Sequence, residues 1–467
     1  MKILQPSVQL ADPHICSDAK NRLNIFNAIF DTLIRRAPSG HFVPGLAQTY
    51  HLAEDARTWT FQLREDVRFH NGATFNAKDV TASLARACDP SVGGELGTEG
   101  VWASYLGDAT VTAVDPYTVR MVTGRPMADL LDLLIAIPIM PADSLPDLPE
   151  TLIGSGPYRL AERSADQIVL TAFGESRIRE ATAPELVWQA IPDENLRIEL
   201  LSKGEADLIT DLSPGGGRSL AGKNLHLISQ ASNLCVAFLF NILSGPCTDV
   251  RVRQAINHAV DVDRMIAEAA DGGATPLNGP LTPLHFGADA ELAPFAHDPQ
   301  KAKALFEEAG LSQSLVIDLP TRLPDEALRL GEMLAEDLAA VGVEVELRHF
   351  EDRVAYAHMV KDKQIDDACC FDSSPLSTYR VLREKINSEV AGPWWQGYHN
   401  AIVNRLLDQA AEIVDVDTRR TVYEEAYRIM AADAPWLFLY RPTRFWGSRS
   451  ATLPIQLGRD SLLLIEK

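Results

Sequence analysis

The sequence predicts an α/β protein built from more than one domain. Segments of strand period and of helix period alternate along the whole chain. A helix-to-strand unit is legible at 325–347, and a length of 467 residues exceeds what one hydrophobic core serves. With 46% hydrophobic and 23% charged residues, the chain has the composition of a folded protein rather than a disordered or fibrous one.

The first elements are strands. Residues 58–69 (TWTFQLREDVRF) place Trp59, Phe61 and Leu63 on one face, with Val67 and Phe69 following after a turn. His70-Asn71-Gly72 supplies a second turn, because Asn and Gly tolerate positive φ. At 110–122 a pair of strands folds about Asp115-Pro116, where Pro presets the reversal. Gly- and Pro-rich stretches at 90–100, 213–217 (SPGGG) and 272–287 read as loops, the last long and fixed by several prolines.

Helices dominate later. Asp249 caps a helix carrying Val252, Ala255, Ile256, Ala259 and Val260. In 298–310, Asp298 is the N-cap, Pro299 the first helical residue and Gly310 the stop. The 325–341 helix ends at Gly342 and feeds VEVEL, with Val343, Val345 and Leu347 alternating. Apolar stripes at 401–414 and 418–431 are core faces, not cofactor boxes.

Charge and cysteines exclude several functions. Asp and Glu number 64 against 43 Lys and Arg, a formal net charge of -21, so no nucleic-acid partner is expected. The cysteines Cys16, Cys88, Cys235, Cys247, Cys369 and Cys370 contain no CxxC, and no metal site is expected. The longest apolar run, 130–140, contains Pro138 and falls short of the roughly 20 residues that span a bilayer. The opening MKILQPSVQL has no leader pattern, which suits either a cytoplasmic chain or a mature chain whose signal peptide has been removed.

Catalytic signatures are missing. Gly154-Ser155-Gly156 and Gly215-Gly216-Gly217 lack the Lys and spacing of a phosphate loop, and neither HExxH nor GxSxG occurs. His14, His70, His285 and His399 stand singly, which favours hydrogen-bonded structural roles over metal ligation. The adjacent acids Asp366-Asp367 and Glu424-Glu425 point in different directions on a helix. A binding protein without a cofactor is the expectation.

Several segments, in order, carry a family resemblance. They are ADPH at 11–14, FVPGLAQTYHLAEDARTWTFQLREDVRFHNGATFNAKDV at 42–80, IGSGPYRL at 153–160 and LLSKGEADLI at 200–209. FNILSGPCTDVRVRQAINHAVDVDRM at 240–265, DPQKAKALFEEAG at 298–310, GYHN at 397–400, the RxxYEEA unit at 420–426 and PWLFLY at 435–440 complete the series. Together they resemble the extracytoplasmic solute-binding proteins, family 5, of peptide and nickel ABC importers, although Tyr50 stands where Trp is usual. The resemblance implies a two-lobed α/β periplasmic-binding-protein-like fold of type II, cluster C, that closes on a ligand. Lobe I would comprise 1–36 with 150–234 and 441–467, lobe II 235–440, and an extra subdomain 37–149 would be inserted in lobe I. Gly154, Gly156 and Pro157 would suit a rigid crossing between lobes, and Tyr158 offers a packing ring with a polar tip.

The resemblance also implies the site. Aligned on Pro375, Phe371 occupies the place of an Asp that pairs with the amino terminus of bound peptides in relatives. Asp372 lies one residue on, and Ser374 replaces an acid, so peptide recognition is weakened: a buried ammonium needs a carboxylate. Ser373 and Asn233, Trp394 and Trp395, Trp102, and Cys16 with Ser17 after the first strand complete the implied ligand set. A Cys235–Cys369 bridge is implied by half-cystines of some oligopeptide-binding members, with two buried free thiols as the alternative. The expected protein is a periplasmic monomer that takes a peptide-like or other small solute and delivers it to an ABC permease. A sugar, opine-like conjugate or metal chelate is the alternative ligand, and a cytoplasmic sensor or hydrolase on the same fold the alternative class.

Overall fold

The computed structural model describes residues 1–16, 19–94, 100–311, 314–320 and 326–465. Two compact units divide the chain, one formed by Met1–Gln230 with Arg444–Lys467 and the other by Ala231–Thr443. The long strand Trp436–Ser448 gives its first residues to the second unit and its last to the first.

The sheet of the first unit runs from the end of Trp436–Ser448 through Leu208–Leu212, Lys2–Gln5, Glu185–Ala190 and Gln167–Ala172 to Tyr158–Arg163. Lys2–Gln5 lies parallel to both of its neighbours. Its alternation sorts two cores: Ile3 packs with the helix Lys20–Ile29, whereas Leu4 packs with Ile198 and Leu201 of the helix Glu194–Ser202. A separate antiparallel sheet has the order Ala47–Leu52, Thr58–Leu63, Thr118–Val122, Thr110–Asp115. The apolar face Trp59, Phe61 and Leu63 is buried as the period of two requires. The helix Ala77–Ala87 is held at its start by a reciprocal box: Lys78 N–H donates to Asn76 Oδ1 and Asn76 N–H to Asp79 Oδ2, each at 2.9 Å.

Two expectations are corrected here. Gly154 and Gly156 are not a crossing between units; they lie within the first unit, against the backbone of Ile29. A Cβ on Gly154 would sit 2.1 Å from the Ile29 carbonyl oxygen, so glycine serves close approach. His70, in the predicted turn, fastens this contact: Nε2 donates to Gly156 O at 3.0 Å and Nδ1 accepts from Gly154 N at 3.2 Å. The SPGGG stretch is not a loop but enters the helix Pro214–Ser219. Ser213 Oγ accepts from Gly216 N at 2.9 Å and Pro214 presets the first turn, which outweighs the poor propensity of three glycines.

The sheet of the second unit has the order Val345–Phe350, Leu315–Pro320, Ala368–Ser373, Cys235–Phe240 and the start of Trp436–Ser448. The first three strands are parallel, and Cys235–Phe240 runs antiparallel to both of its neighbours. One face buries Phe238, Phe240 and Cys370 under the helices Val250–Ala259, Pro299–Ala309 and Ala327–Ala340. The other buries Cys235, Leu239 and Cys369 under Arg353–Lys361, Thr378–Lys385, Ala401–Glu412 and Val416–Asp433. The helix stops fall where sequence placed them: Gly310 at φ +67° and Gly342 at φ +87° are left-handed.

Cys235 and Cys369 do not form a bridge. Cys235 lies opposite Ser373 and Cys369 opposite Leu239, four register positions away, or roughly 13 Å along the strands. A disulfide needs Cα atoms within about 7 Å. Both are free thiols, as are the other four cysteines.

Candidate ligand-binding residues

In the first unit, the loop after Lys2–Gln5 carries a buried network. Arg86 Nη1 donates to Asp12 Oδ1 at 3.1 Å and to His14 Nδ1 at 3.2 Å. His14 Nε2 therefore carries the proton and donates to Pro138 O at 3.0 Å. Burial lowers the His14 pKa from 6.5 to about 4, so the ring is neutral. Trp102 is 1% exposed, and its Nε1 donates to His14 O at 3.0 Å. Cys16, 2% exposed, packs into the core beneath the same loop. Ser17 lies outside the described residues. Trp102 and Cys16 are thus seated as packed groups, with Trp102 Nε1 engaged by the backbone of the same loop.

In the second unit, five predicted residues gather at one edge of the sheet. The parallel strands Leu315–Pro320 and Ala368–Ser373 end there, and Cys235–Phe240 begins there. In open α/β sheets, the carboxyl ends of parallel strands are where ligands are held. The edge carries Phe371, Asp372 and Ser373, with Cys235 opposite Ser373 and Val236 opposite Asp372. Asn233 Nδ2 donates to the Ser374 carbonyl, tying the two chain segments together. His285 Nε2 donates to Pro375 O at 2.8 Å while Nδ1 accepts from Thr282 N at 3.1 Å, so the turn after Ser373 is pinned from the 272–287 segment.

The two tryptophans separate in role. The ring of Trp394 lies 5.4 Å from Phe371, making a half-buried aromatic pair. Trp395 Nε1 donates to Tyr398 O at 2.7 Å and closes its own turn. The loop is anchored from behind: Lys363 Nζ donates to Gly392 O at 2.8 Å and to Pro393 O at 2.7 Å. Burial lowers that lysine's pKa to about 8.

Sequence reasoning missed the cations of this edge. The helix Thr378–Lys385 (TYRVLREK) is buried at every position, including Arg380, Arg383, Glu384 and Lys385. Lys385 Nζ donates to Ser373 Oγ at 2.8 Å and lies 5.5 Å from the centre of the Phe371 ring. Arg441, on the strand beside Cys235, was also missed. The signal was present in the density of charge on so short a helix, but charged runs usually mark solvated faces. Among the described residues no group of three His, Cys, Asp or Glu is placed to hold a metal ion.

Two α/β units joined by a shared strand, each with its own layered core, define the class: a periplasmic-binding-protein-like fold. The match to the family model for bacterial extracellular solute-binding proteins, family 5, covers residues 41–368, and the chain belongs to that family. The dipeptide-binding protein of Escherichia coli (strain K12) is 29% identical over 439 residues, 86% of this chain and 81% of that protein. Among solved structures, NikA from Brucella suis in complex with Fe(III)-EDTA superposes with a TM-score of 0.85 at 23% identity, covering 100% of this chain and 99% of that one. The ABC transporter-associated periplasmic binding protein DppA from Helicobacter pylori, in complex with the peptide STSA, gives 0.80 at 22% identity, with 100% and 98% covered. At these identities the structural matches show the fold; the relatives are binding proteins rather than enzymes.

Proposed function

We propose that this protein is the periplasmic solute receptor of an ABC importer. It captures a small solute, without transforming it, and presents the loaded form to the membrane permease as a monomer. Its first unit carries 37–149 as an added subdomain. The observation that supports the reading best is the cluster at the carboxyl edge of the second sheet, where Asn233, Phe371, Asp372, Ser373 and Trp394 converge on a family fold. Aromatic walls with a few polar groups bind small solutes by excluding water from them.

Native mass spectrometry of the purified protein, with a thermal-shift screen of dipeptides, glycosides and metal chelates, tests the reading. A stoichiometric solute or a ligand-dependent rise in Tm is expected. A protein that takes no small solute, or that turns one over, sinks it. Fractionation of the source cell tests location separately: recovery only with cytoplasmic markers excludes the periplasmic reading.

A further inference from the structure

The helix Arg353–Lys361 ends on two reversed bonds: Lys363 N donates to Val360 O at 3.2 Å and Gln364 N to Met359 O at 2.9 Å. Two other helices of the second unit close with the same pair. Gly310 N donates to Glu307 O and Leu311 N to Phe306 O, each at 3.1 Å. Gly342 N donates to Ala339 O and Val343 N to Leu338 O, each at 3.0 Å. The motif needs a left-handed residue after the cap, which favours glycine. At the third end that residue is Lys363, at φ +62°. A side chain is strained there, so its presence points to a use for the amine.

Lys363 Nζ donates to Gly392 O at 2.8 Å and to Pro393 O at 2.7 Å, the two carbonyls just before Trp394. The Pro393 carbonyl shares a rigid peptide plane with the Trp394 nitrogen, so holding one orients the other. Beyond Trp394, Gln396 Nε2 donates at 2.7 Å to Val360 O, the same carbonyl that accepts from Lys363 N. The ring that faces Phe371 at 5.4 Å is thus tied from both sides to one helix end. The Lys363 tie is the stronger, because hydrogen bonds from an ammonium are roughly twice as strong as neutral ones.

We propose that Lys363 is a positioning residue of the solute site: its ammonium sets the plane of the Pro393–Trp394 peptide and so seats the Trp394 ring against Phe371. The proposal rests on the receptor reading and adds to it a support for the aromatic wall whose strength follows one charge. Burial brings the Lys363 pKa down to about 8, while Asp362 raises it and Lys361 lowers it. The facing segment 392–398 brings the two carbonyls and the Tyr398 phenol, which donates to Asp433. The helix that Gly392 abuts brings Arg380, Arg383, Glu384 and Lys385, and Ile242 and Leu243, which abut Gly397, bring no charge. As pH rises through about 8 the amine becomes neutral, its bonds to both carbonyls weaken, and the Trp394 ring loosens.

The test uses the full chain labelled with fluorotryptophan and reads each ring by fluorine NMR, with Trp394→Phe assigning the Trp394 signal. In the wild-type chain that signal is expected to shift with pH, with a midpoint of about 8. Lys363→Gly restores the residue that a left-handed helix end favours, so Tm is expected to hold or rise while the Trp394 signal moves and loses its pH step. The signals of Trp59, Trp102, Trp188, Trp436 and Trp446 are expected to stay in place. Lys363→Arg keeps the charge and is expected to lose the step too, with the Trp394 signal nearer its low-pH wild-type position than in Lys363→Gly. A wild-type signal without the step, a Trp394 signal unmoved in Lys363→Gly, or equal movement of the distant tryptophans overturns the assignment. Native mass spectrometry of the wild-type chain separates this claim from the receptor reading. Captured solute with an unresponsive Trp394 removes the role of Lys363 alone. A responsive Trp394 in a chain that takes no solute sinks the receptor reading, and the site with it, leaving the tie as packing.

Discussion

Arg179 shows how much a single side chain can hold in this fold. It is buried with Asp31, its Nε donating to Asp31 Oδ1 at 2.9 Å, while Nη2 donates to Phe30 O at 2.7 Å. Ser155 Oγ donates to the other Asp31 oxygen at 2.9 Å. Arg179→Ala leaves a carboxylate buried without its cation and is expected to cost about 3–5 kcal/mol, read from urea unfolding. The histidines set the acid limit. Burial lowers the pKa of both His14 and His70 from 6.5 to about 4, so between these values the unfolded chain binds more protons than the fold. Their contribution to stability is full above pH 6.5 and is lost as pH falls toward 4, by up to about 1.4 kcal/mol per pH unit for each ring. Urea midpoints measured across that window should fall steeply, and His70→Gln should flatten the slope. The free thiols give a simpler expectation: intact mass after alkylation under denaturing conditions should show six modified cysteines with or without reductant.

At the scale of elements, capping and close approach decide boundaries. Asp298 Oδ1 accepts from Lys301 N at 2.9 Å at the start of Pro299–Ala309, and Asp298→Ala should cost about 1 kcal/mol. Gly154→Ala should cost more, about 1–3 kcal/mol, because the new methyl meets the Ile29 backbone and not a side chain that can swing away. Both are read from denaturant midpoints at constant slope. The buried helix Thr378–Lys385 is the element whose composition departs furthest from its setting, since residue preference alone would send Arg383 and Lys385 to water.

Across the whole molecule, the two units differ in how the chain builds them. Ala231–Thr443 is one continuous segment with cores on both faces of its sheet. The other unit is discontinuous: Leu208–Leu212 pairs with residues 445–448, which return only after the second unit is complete. The fragment 231–443 is therefore expected to unfold cooperatively on its own, with native-like near-ultraviolet dichroism. The fragment 1–230 should lack a cooperative transition until 444–467 is supplied, because its sheet ends in an unpaired strand. A non-cooperative 231–443 fragment would show that the second unit depends on the first.

What the sequence determined by itself was local chemistry and family pattern. Periodicity exposed the Trp59–Phe61–Leu63 face, Asp298 and Gly310 bounded their helix, and the ordered motifs named the family and hence the α/β fold. Tertiary structure decided whatever depends on partners distant in sequence. It put Gly154 against Ile29 and separated Cys235 from Cys369 by four register positions. Arg441 and Lys385 belong with these: each reads as an ordinary surface cation until strand pairing and helix packing bring both beside Cys235. Spacing along a chain fixes which residues share a face of one element, but only packing between elements fixes which faces meet.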